Sequence, residues 1–208
     1  MKHLALFIAL LLLCLITYSA NALNIDTGKT KSVFTAIEHP PIYPGGDGNF
    51  GRDVVKNLKY PEVAKLIGIN GRIVVSFIVD KDGKMTDITP VNCIGAGCES
   101  EAVKAMQSLK IWQPGIQKGK PVRVQYSIPI NFAINKGKVK LSDLRSSHYG
   151  FLFKLNDSLY TIDEAQNILG KSFQSDRVEI AEPFYNIDSD PKFFMPDKKE
   201  VYVIKLKG

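Results

Sequence analysis

The sequence predicts an α+β fold, in which a two-layer α/β sandwich is followed by a small α/β module. Between Tyr60 and Ala133, segments with helical apolar spacing are interspersed with segments in which every second residue is apolar. An Asp82-Gly83 pair, which favours a tight turn, separates two of the strand-like segments. Because the resulting order is helix, hairpin, helix and strand, we expect a sheet with helices on one face.

The helices of the sandwich are predicted from apolar spacing and from residues that start or stop a helix. Phe50–Leu58 has a helical spacing of apolar residues. Pro61 suits the first turn of a second helix, because its missing N–H costs nothing there, and Gly68 ends that helix. Glu99 and Glu101 favour the first turn of a third helix, since the helix dipole attracts negative charge there.

The strands of the sandwich are predicted from alternation. Ile73–Asp80 and Met85–Val91 form the hairpin, and a further short strand is expected at Val33–Glu38. The last run, Pro121–Ala133, alternates most cleanly, as expected for an antiparallel sheet with one buried and one wet face. Pro129 cannot donate to a ladder, so this strand should lie at a sheet edge or carry a bulge. Such an edge can capture an extended peptide.

The segment before the fold is typical of a secretory signal peptide. Lys2 precedes the apolar run Leu4–Ile16, and Ala20-Asn21-Ala22 supplies small residues for cleavage after Ala22. The apolar run has 13 residues, whereas a membrane-spanning helix needs roughly 20. We therefore expect residues 1–22 to be removed and the protein to be exported. The alternative is an inner-membrane anchor formed by an uncleaved N-terminal segment.

The remaining chain divides into two regions. The first spans residues 33–136, and the polar segments Asn135–Lys138 and Ser142–His148 are interpreted as a linker. The second spans residues 150–208, where Asn156-Asp157-Ser158 predicts a hairpin turn. A capped helix at Asp163–Leu169 and two further strands complete a small α/β module.

Charge and candidate ligands exclude several functions. The formal net charge of +6 comes from lysines scattered along the chain rather than from a focused stripe, so nucleic-acid binding is not expected. Cys93 and Cys98 enclose four residues and form either a small disulfide loop, worth about 2 kcal/mol, or two free thiols. They lack the further ligands of a metal site. No nucleophile with a matching base is found, so we expect neither a cofactor nor catalysis.

Several spaced motifs together resemble the TonB C-terminal domain family. The motifs that carry this resemblance, which covers about residues 33–135, are Tyr60-Pro61, Gly71–Asp80, Asp82-Gly83-Lys84, Glu101-Ala102-Val103, Trp112-Gln113-Pro114-Gly115 and Gly119-Lys120-Pro121-Val122. Upstream, Pro41–Gly46 and Asn57–Pro61 resemble the version of the domain common in the Bacteroidetes-type branch. The resemblance implies a small sandwich with a three-stranded antiparallel sheet.

The resemblance also implies a site and a partner. Members of the family bind the short box peptide of outer-membrane TonB-dependent receptors by pairing it with the final strand. Carried over, the peptide-binding residues are Asn57, Leu58, Lys59, Tyr60 and Pro61 together with Arg123, Val124, Gln125, Tyr126 and Ser127. The sequence departs from the family at Asn57–Lys59, where a glutamine-proline arrangement often precedes Tyr-Pro.

Two functions follow as expectations. The first is a periplasmic protein-binding module, associated with TonB-dependent transmembrane transport, that captures receptor peptide segments or other envelope proteins by strand addition. The second is a structural or accessory protein of the cell envelope that packs against a protein partner without binding a box peptide. An open strand edge is also compatible with a homodimer.

Overall fold

The structure, a computed structural model, describes residues 37–134, 136–185 and 190–207. The predicted signal peptide, residues 1–22, and residues 33–36 of the first predicted strand lie outside the described residues. The helices are α1 (Asp47–Asn57), α2 (Glu62–Ile67), α3 (Cys98–Gln107), α4 (Leu141–Arg145) and α5 (Ile162–Leu169), with 3-10 turns at Ser175–Arg177 and Pro191–Phe193. The strands are β1 (Gly71–Val79), β2 (Met85–Pro90), β3 (Gly115–Gln117), β4 (Lys120–Val122), β5 (Val124–Phe132), β6 (Lys138–Lys140), β7 (Gly150–Leu155), β8 (Ser158–Thr161), β9 (Ser172–Gln174), β10 (Val178–Pro183) and β11 (Val201–Leu206).

The first sheet has three antiparallel strands in the order β2–β1–β5. The α+β class and the three-stranded antiparallel sheet are therefore confirmed. In β1 the alternating residues Ile73, Val75, Phe77 and Val79 are fully buried. The turn after β1 is closed by a hydrogen bond of 2.9 Å from the N–H of Gly83 to the carbonyl oxygen of Asp80.

Helices α1, α2 and α3 contribute to the same core as the inward face of β1. Helix α2 ends at Gly68 in the left-handed conformation, as its sequence predicts. Helix α1 begins three residues before its predicted start, and its Val55 is 70% exposed. In α3 the buried residues are Cys98, Ala102, Ala105 and Met106.

The final alternating run is interrupted. Strands β3 and β4 form a separate two-stranded hairpin, and Arg123 lies between β4 and β5. The hairpin turn uses Lys118 and Gly119, both at positive φ. On its outer side, β3 and the residues before it form isolated bridges with His39 and Ile42.

The second region contains a four-stranded mixed sheet in the order β10–β11–β7–β8. The predicted hairpin is confirmed, with Asn156 and Asp157 at positive φ between β7 and β8. Strands β7 and β11 are parallel to each other. Helix α5 begins with a capping box between Thr161 and Glu164, which satisfies the first backbone N–H groups of the helix.

The segments interpreted as a polar linker are partly built into the fold, and the interpretation is wrong for those residues. Lys138 belongs to β6, and residues 142–145 belong to α4, in which Leu144 is fully buried. Between the two segments, Val139 and Leu141 are fully buried as well. These side chains belong to one core cluster that also contains Ile67 of the first region and Phe151 of the second. The division into folding units at 33–136 and 150–208 stays a prediction.

Candidate functional site

The candidate site is the outer edge of β5. Strand β5 pairs with β1 along its whole length, from Val124 opposite Val79 to Phe132 opposite Gly71. Within the ranges that the structure describes, no strand pairs with the opposite side of β5. The position of this strand at a sheet edge, predicted from Pro129, is confirmed. An edge of this kind presents backbone groups that a further strand can use.

The backbone of Val74 determines which residues of β5 face outward. The N–H of Val74 donates to Oδ1 of Asn92 (2.7 Å), and its carbonyl oxygen accepts from the N–H of Val91 (2.7 Å). Both groups therefore turn away from β5, although Val74 lies opposite Pro129 in the ladder. In an antiparallel ladder this marks a non-hydrogen-bonded pair, whose β5 member directs its backbone polar groups outward.

The same alternation applies along the strand. Gln125, Ser127 and Asn131 share the parity of Pro129, so each directs an N–H and a carbonyl oxygen toward the open edge. Pro129 has no N–H and offers only its carbonyl. The open ladder is therefore continuous over Gln125 and Ser127 and loses one donor at Pro129.

An apolar groove lies between α1 and the C-terminal half of β5. It encloses about 280 Å³. Its walls are formed by Asp47, Phe50, Gly51, Val54 and Val55 of α1 and by Ile128, Pro129, Ile130 and Asn131 of β5. The groove is thus next to the open edge, where it can receive an apolar side chain of a paired segment.

An aromatic cluster packs α1 on the sheet behind this groove. The ring of Trp112 lies 5.0 Å from that of Phe50, centroid to centroid, and 5.7 Å from that of Tyr126 in a stacked arrangement. Trp112 is buried and belongs to the core cluster. Burial also raises the pKa of the Tyr126 hydroxyl above its ordinary value.

The two predicted sets of peptide-binding residues lie near opposite ends of β5. Tyr60 packs edge-on against Phe132 at 5.5 Å between ring centroids, and its hydroxyl donates to the backbone carbonyl of Ile69. Arg123–Ser127 lie at the other end of the strand, which at nine residues is roughly 25 Å long. The structure therefore does not bring the two sets together.

Within the first set, the polar groups are used by the local fold. Nδ2 of Asn57 donates to the carbonyl oxygen of Asp53 (2.8 Å) at the end of α1. Leu58 is packed against the core, and Pro61 is the N-cap of α2. Lys59 is exposed, so its side chain is open to a partner.

Within the second set, the wet face of the sheet is bridged by side chains. Nε2 of Gln125 donates to Oγ of Ser76 (2.9 Å). The guanidinium of Arg123 lies 3.4 Å from a carboxylate oxygen of Asp80 and 3.0 Å from one of Asp87. These contacts hold the side chains on the face of the sheet and leave the backbone edge accessible.

The two cysteines are free thiols in the structure, so the bridge considered from the sequence is not formed there. Cys93 is exposed, whereas Cys98 begins α3 and is buried. Burial raises the pKa of the Cys98 thiol to about 12, and nearby Glu99 and Glu101 act in the same direction. In the part of the chain that the structure describes, no three metal-ligating side chains converge.

Sequence reasoning missed the groove residues on α1. The helical spacing predicts one apolar face through Phe50, Val54, Val55 and Leu58, but Val55 is 70% exposed and lines the groove instead. No local signal separates Val55 from its buried neighbours, because adjacent apolar residues are normal in the buried stripe of a helix.

The fold is an α+β sandwich with an unpaired strand edge beside an apolar groove. These are the structural features of a protein-interaction module. Residues 56–134 match the family described as Gram-negative bacterial TonB protein C-terminal, and the chain carries a TonB C-terminal domain. Domains of this family are protein-interaction modules of the cell envelope. They are periplasmic, and they interact with outer-membrane TonB-dependent receptors and other envelope proteins.

Two NMR solution structures of the Helicobacter pylori TonB C-terminal domain are similar to part of the chain. The shorter is 26% identical, with a TM-score of 0.33, and the match covers 41% of this chain and 90% of that one. The longer is 24% identical, with a TM-score of 0.34, and the match covers 45% and 88%. No curated protein matches the chain. None of the helices in the described ranges is long and apolar enough to cross a membrane.

Proposed function

We propose that the protein captures an extended segment of an outer-membrane TonB-dependent receptor, or of another envelope protein, by adding it as a fourth strand beside β5. The proposal includes export by a signal peptide at residues 1–22 and action in the periplasm. The observation that carries it is the open ladder at Gln125 and Ser127. Main-chain hydrogen bonds supply affinity in this mode of binding, and pockets for alternate side chains supply specificity.

The geometry favours one register for the guest strand. Its main chain pairs best where outward donors and acceptors are uninterrupted, at Gln125 and Ser127. Beyond Ser127 the guest passes Pro129, where it gains no donor, and there the apolar groove beside Val55 receives one of its side chains. We therefore expect the bound peptide to contain an extended segment that pairs with Gln125 and Ser127, with an apolar side chain before or after that segment to enter the groove.

A second candidate function is an accessory envelope protein that packs against a partner without binding a box peptide. The observation that favours it is the use of Tyr60 and Asn57 by the local fold. Under this alternative the β5 edge does not respond to a box peptide.

The experiment is a titration of the 15N-labelled protein with a synthetic peptide carrying the box segment of a TonB-dependent receptor. We expect the amide resonances of Gln125, Ser127 and Asn131 to shift and saturate. Gln125→Pro should abolish the saturable shift, because it removes an outward donor. The inward β1–β5 ladder is left intact, since Gln125 lies in a non-hydrogen-bonded pair.

Gln125→Ala is the matched control. It removes the same side chain and the same contact with Ser76, but it keeps the backbone N–H. We expect Gln125→Ala to bind the peptide nearly as well as the unchanged protein. Equal loss of binding in both variants, or no shift along β5 at saturating peptide, would contradict strand addition and favour the accessory function.

A further inference from the structure

A basic cleft lies away from the β5 edge, between the β6–β9 pair and helices α4 and α5. It encloses about 420 Å³. Four cationic side chains line it together with two hydroxyls and one amide, and these residues are Lys138, Lys140, Arg145, Lys171, Ser142, Ser172 and Gln166. The sequence indicated scattered lysines, so this concentration of charge is produced by the fold.

Strand pairing brings the lysines together. Lys138 and Lys140 flank the fully buried Val139 in β6, so both side chains lie on the outer face of that strand. Lys140 is paired with Ser172 of β9, and the carbonyl oxygen of Lys171 accepts a hydrogen bond from the N–H of Leu141 (3.0 Å). Strand pairing therefore places Lys138 and Lys140 on the cleft side of β6, and the hydrogen bond from Leu141 holds Lys171 at the same cleft.

The charge in the cleft is only partly compensated. Arg145 donates to Oδ1 of Asp163 at 2.5 Å and to Oε1 of Gln166 at 3.2 Å. Across the described ranges, the ion pairs within 4.0 Å include no carboxylate partner for Lys138, Lys140 or Lys171. Asp143 of α4 also lies nearby, and it accepts from the hydroxyl of Ser142 (3.3 Å).

We propose that this cleft binds phosphate groups, carried either by a lipid headgroup or by a small soluble phosphate. Three uncompensated ammonium groups in one concave site attract an anion of more than one charge, and lysine binds phosphate as a compact point charge. The hydroxyls of Ser142 and Ser172 supply additional donors for the phosphate oxygens. This site is separate from β5, so it does not depend on peptide capture.

The primary test is a titration of the full chain with inorganic pyrophosphate, in which binding is measured by calorimetry and by 15N spectra. We expect saturable shifts at Lys138, Lys140 and Lys171. The variant Lys138→Gln/Lys140→Gln/Lys171→Gln should lose at least about tenfold in affinity, because it removes three charges that would each pair with the phosphate oxygens. A titration with sodium chloride at equal ionic strength measures general screening.

The matched control is Lys65→Gln/Lys81→Gln/Lys110→Gln. It removes the same net charge from three exposed lysines outside the cleft, so it should bind pyrophosphate like the unchanged protein. Equal loss in both triple variants would overturn the site, because the binding would then reflect net charge alone. The proposed site would also be overturned if the protein bound neither pyrophosphate nor the anionic vesicles described below.

A second arm distinguishes the two sources of phosphate. The protein is sedimented with vesicles of phosphatidylcholine, with and without phosphatidic acid, whose headgroup is a phosphomonoester. Binding to the anionic vesicles that is lost in the cleft variant supports a lipid headgroup, whereas binding to pyrophosphate alone supports a soluble phosphate. Vesicle binding that is unaffected by the cleft variant, together with no pyrophosphate binding, overturns the proposal.

Discussion

Gly95 forms a parallel bridge with Ala181 and thereby joins the loop before α3 to strand β10. The N–H of Ala96 donates to the carbonyl oxygen of Ala181 at 2.7 Å. The N–H of Ala181 donates to the carbonyl oxygen of Ile94 at 3.4 Å. The carboxylate of Glu99 supports the loop, since its Oε1 accepts from the N–H groups of Ile94 (2.6 Å) and Gly95 (2.8 Å). The outer edge of β10 is thus covered at this point, unlike that of β5.

Replacing Gly95 tests how much this bridge contributes to the free energy of unfolding. In Gly95→Ala the new Cβ would lie 2.0 Å from the carbonyl oxygen of Ala181, at a φ of +81°. We expect a loss of more than about 2 kcal/mol, because the backbone must separate and a left-handed alanine is strained. Chemical denaturation measures the loss, and faster hydrogen exchange at Ala96 and Ala181 locates it.

Gly97→Ala is the control for backbone strain. Gly97 has the same φ, +81°, in the left-handed region, but a Cβ there makes only ordinary contacts at 3.7 Å or more. We expect a cost of about 1 to 2 kcal/mol. If both variants lose the same stability, the bridge to Ala181 contributes nothing beyond the strain of the glycine.

The hydroxyl of Tyr60 gives a pH-dependent prediction. Burial raises its pKa from 10.0 to about 12, so the neutral phenol is favoured in the folded state. Its contribution to stability is complete below about pH 10 and is lost as the pH rises to about 12. Tyr60→Phe should cost about 1 kcal/mol at pH 8 through the lost hydrogen bond to Ile69.

Urea denaturation of both proteins at pH 8 and pH 11 measures this effect. We expect the difference in unfolding free energy between the unchanged protein and the Tyr60→Phe variant to shrink at the higher pH, because the phenylalanine cannot ionise. A difference that stays constant between the two pH values would show that the hydroxyl is not linked to folding in this way.

Pro129→Ala should strengthen peptide capture. The substitution adds an outward N–H at the point where the open ladder is interrupted, and the pairing with β1 does not use that group. One further hydrogen bond is worth about 1 kcal/mol, or about fivefold in affinity. Calorimetry with the box peptide measures the change, and Asn131→Ala, which keeps its N–H, serves as the comparison. Unchanged affinity in Pro129→Ala would indicate that the guest does not reach this position.

Val55→Lys tests the groove. Val55 lines it and is 70% exposed, so a lysine there should leave the stability nearly unchanged. We expect peptide affinity to fall by about tenfold, because an ammonium group replaces apolar surface that the anchor would cover. Val91→Lys is the matched control, since Val91 is 65% exposed and follows β2 on the other side of the sheet. Equal affinities of the two variants would exclude the groove from binding.

Local patterns predicted most of the elements. The alternation of β1 and β5, the stop at Gly68 and the hairpin at Asn156-Asp157 each depend on neighbours along the chain, so they can be read in order. The linker prediction failed at Lys138 and at residues 142–145, which belong to β6 and α4, and the apolar residues between these segments are part of the core. Val139 and Leu141 are buried there only because β9 and the core residues of distant elements cover them.

The amino-acid order alone determined the α+β class, the edge position of β5 and the resemblance to TonB C-terminal domains, because alternation, turn residues and Pro129 act within a few positions. Tertiary structure alone decided which backbone groups face outward, since that depends on the partners of Val74 in another strand. Tertiary structure also forms the groove beside Val55 and places Lys138, Lys140 and Lys171 at one cleft. These features arise from contacts between segments far apart in the chain, and no local pattern encodes such a distance.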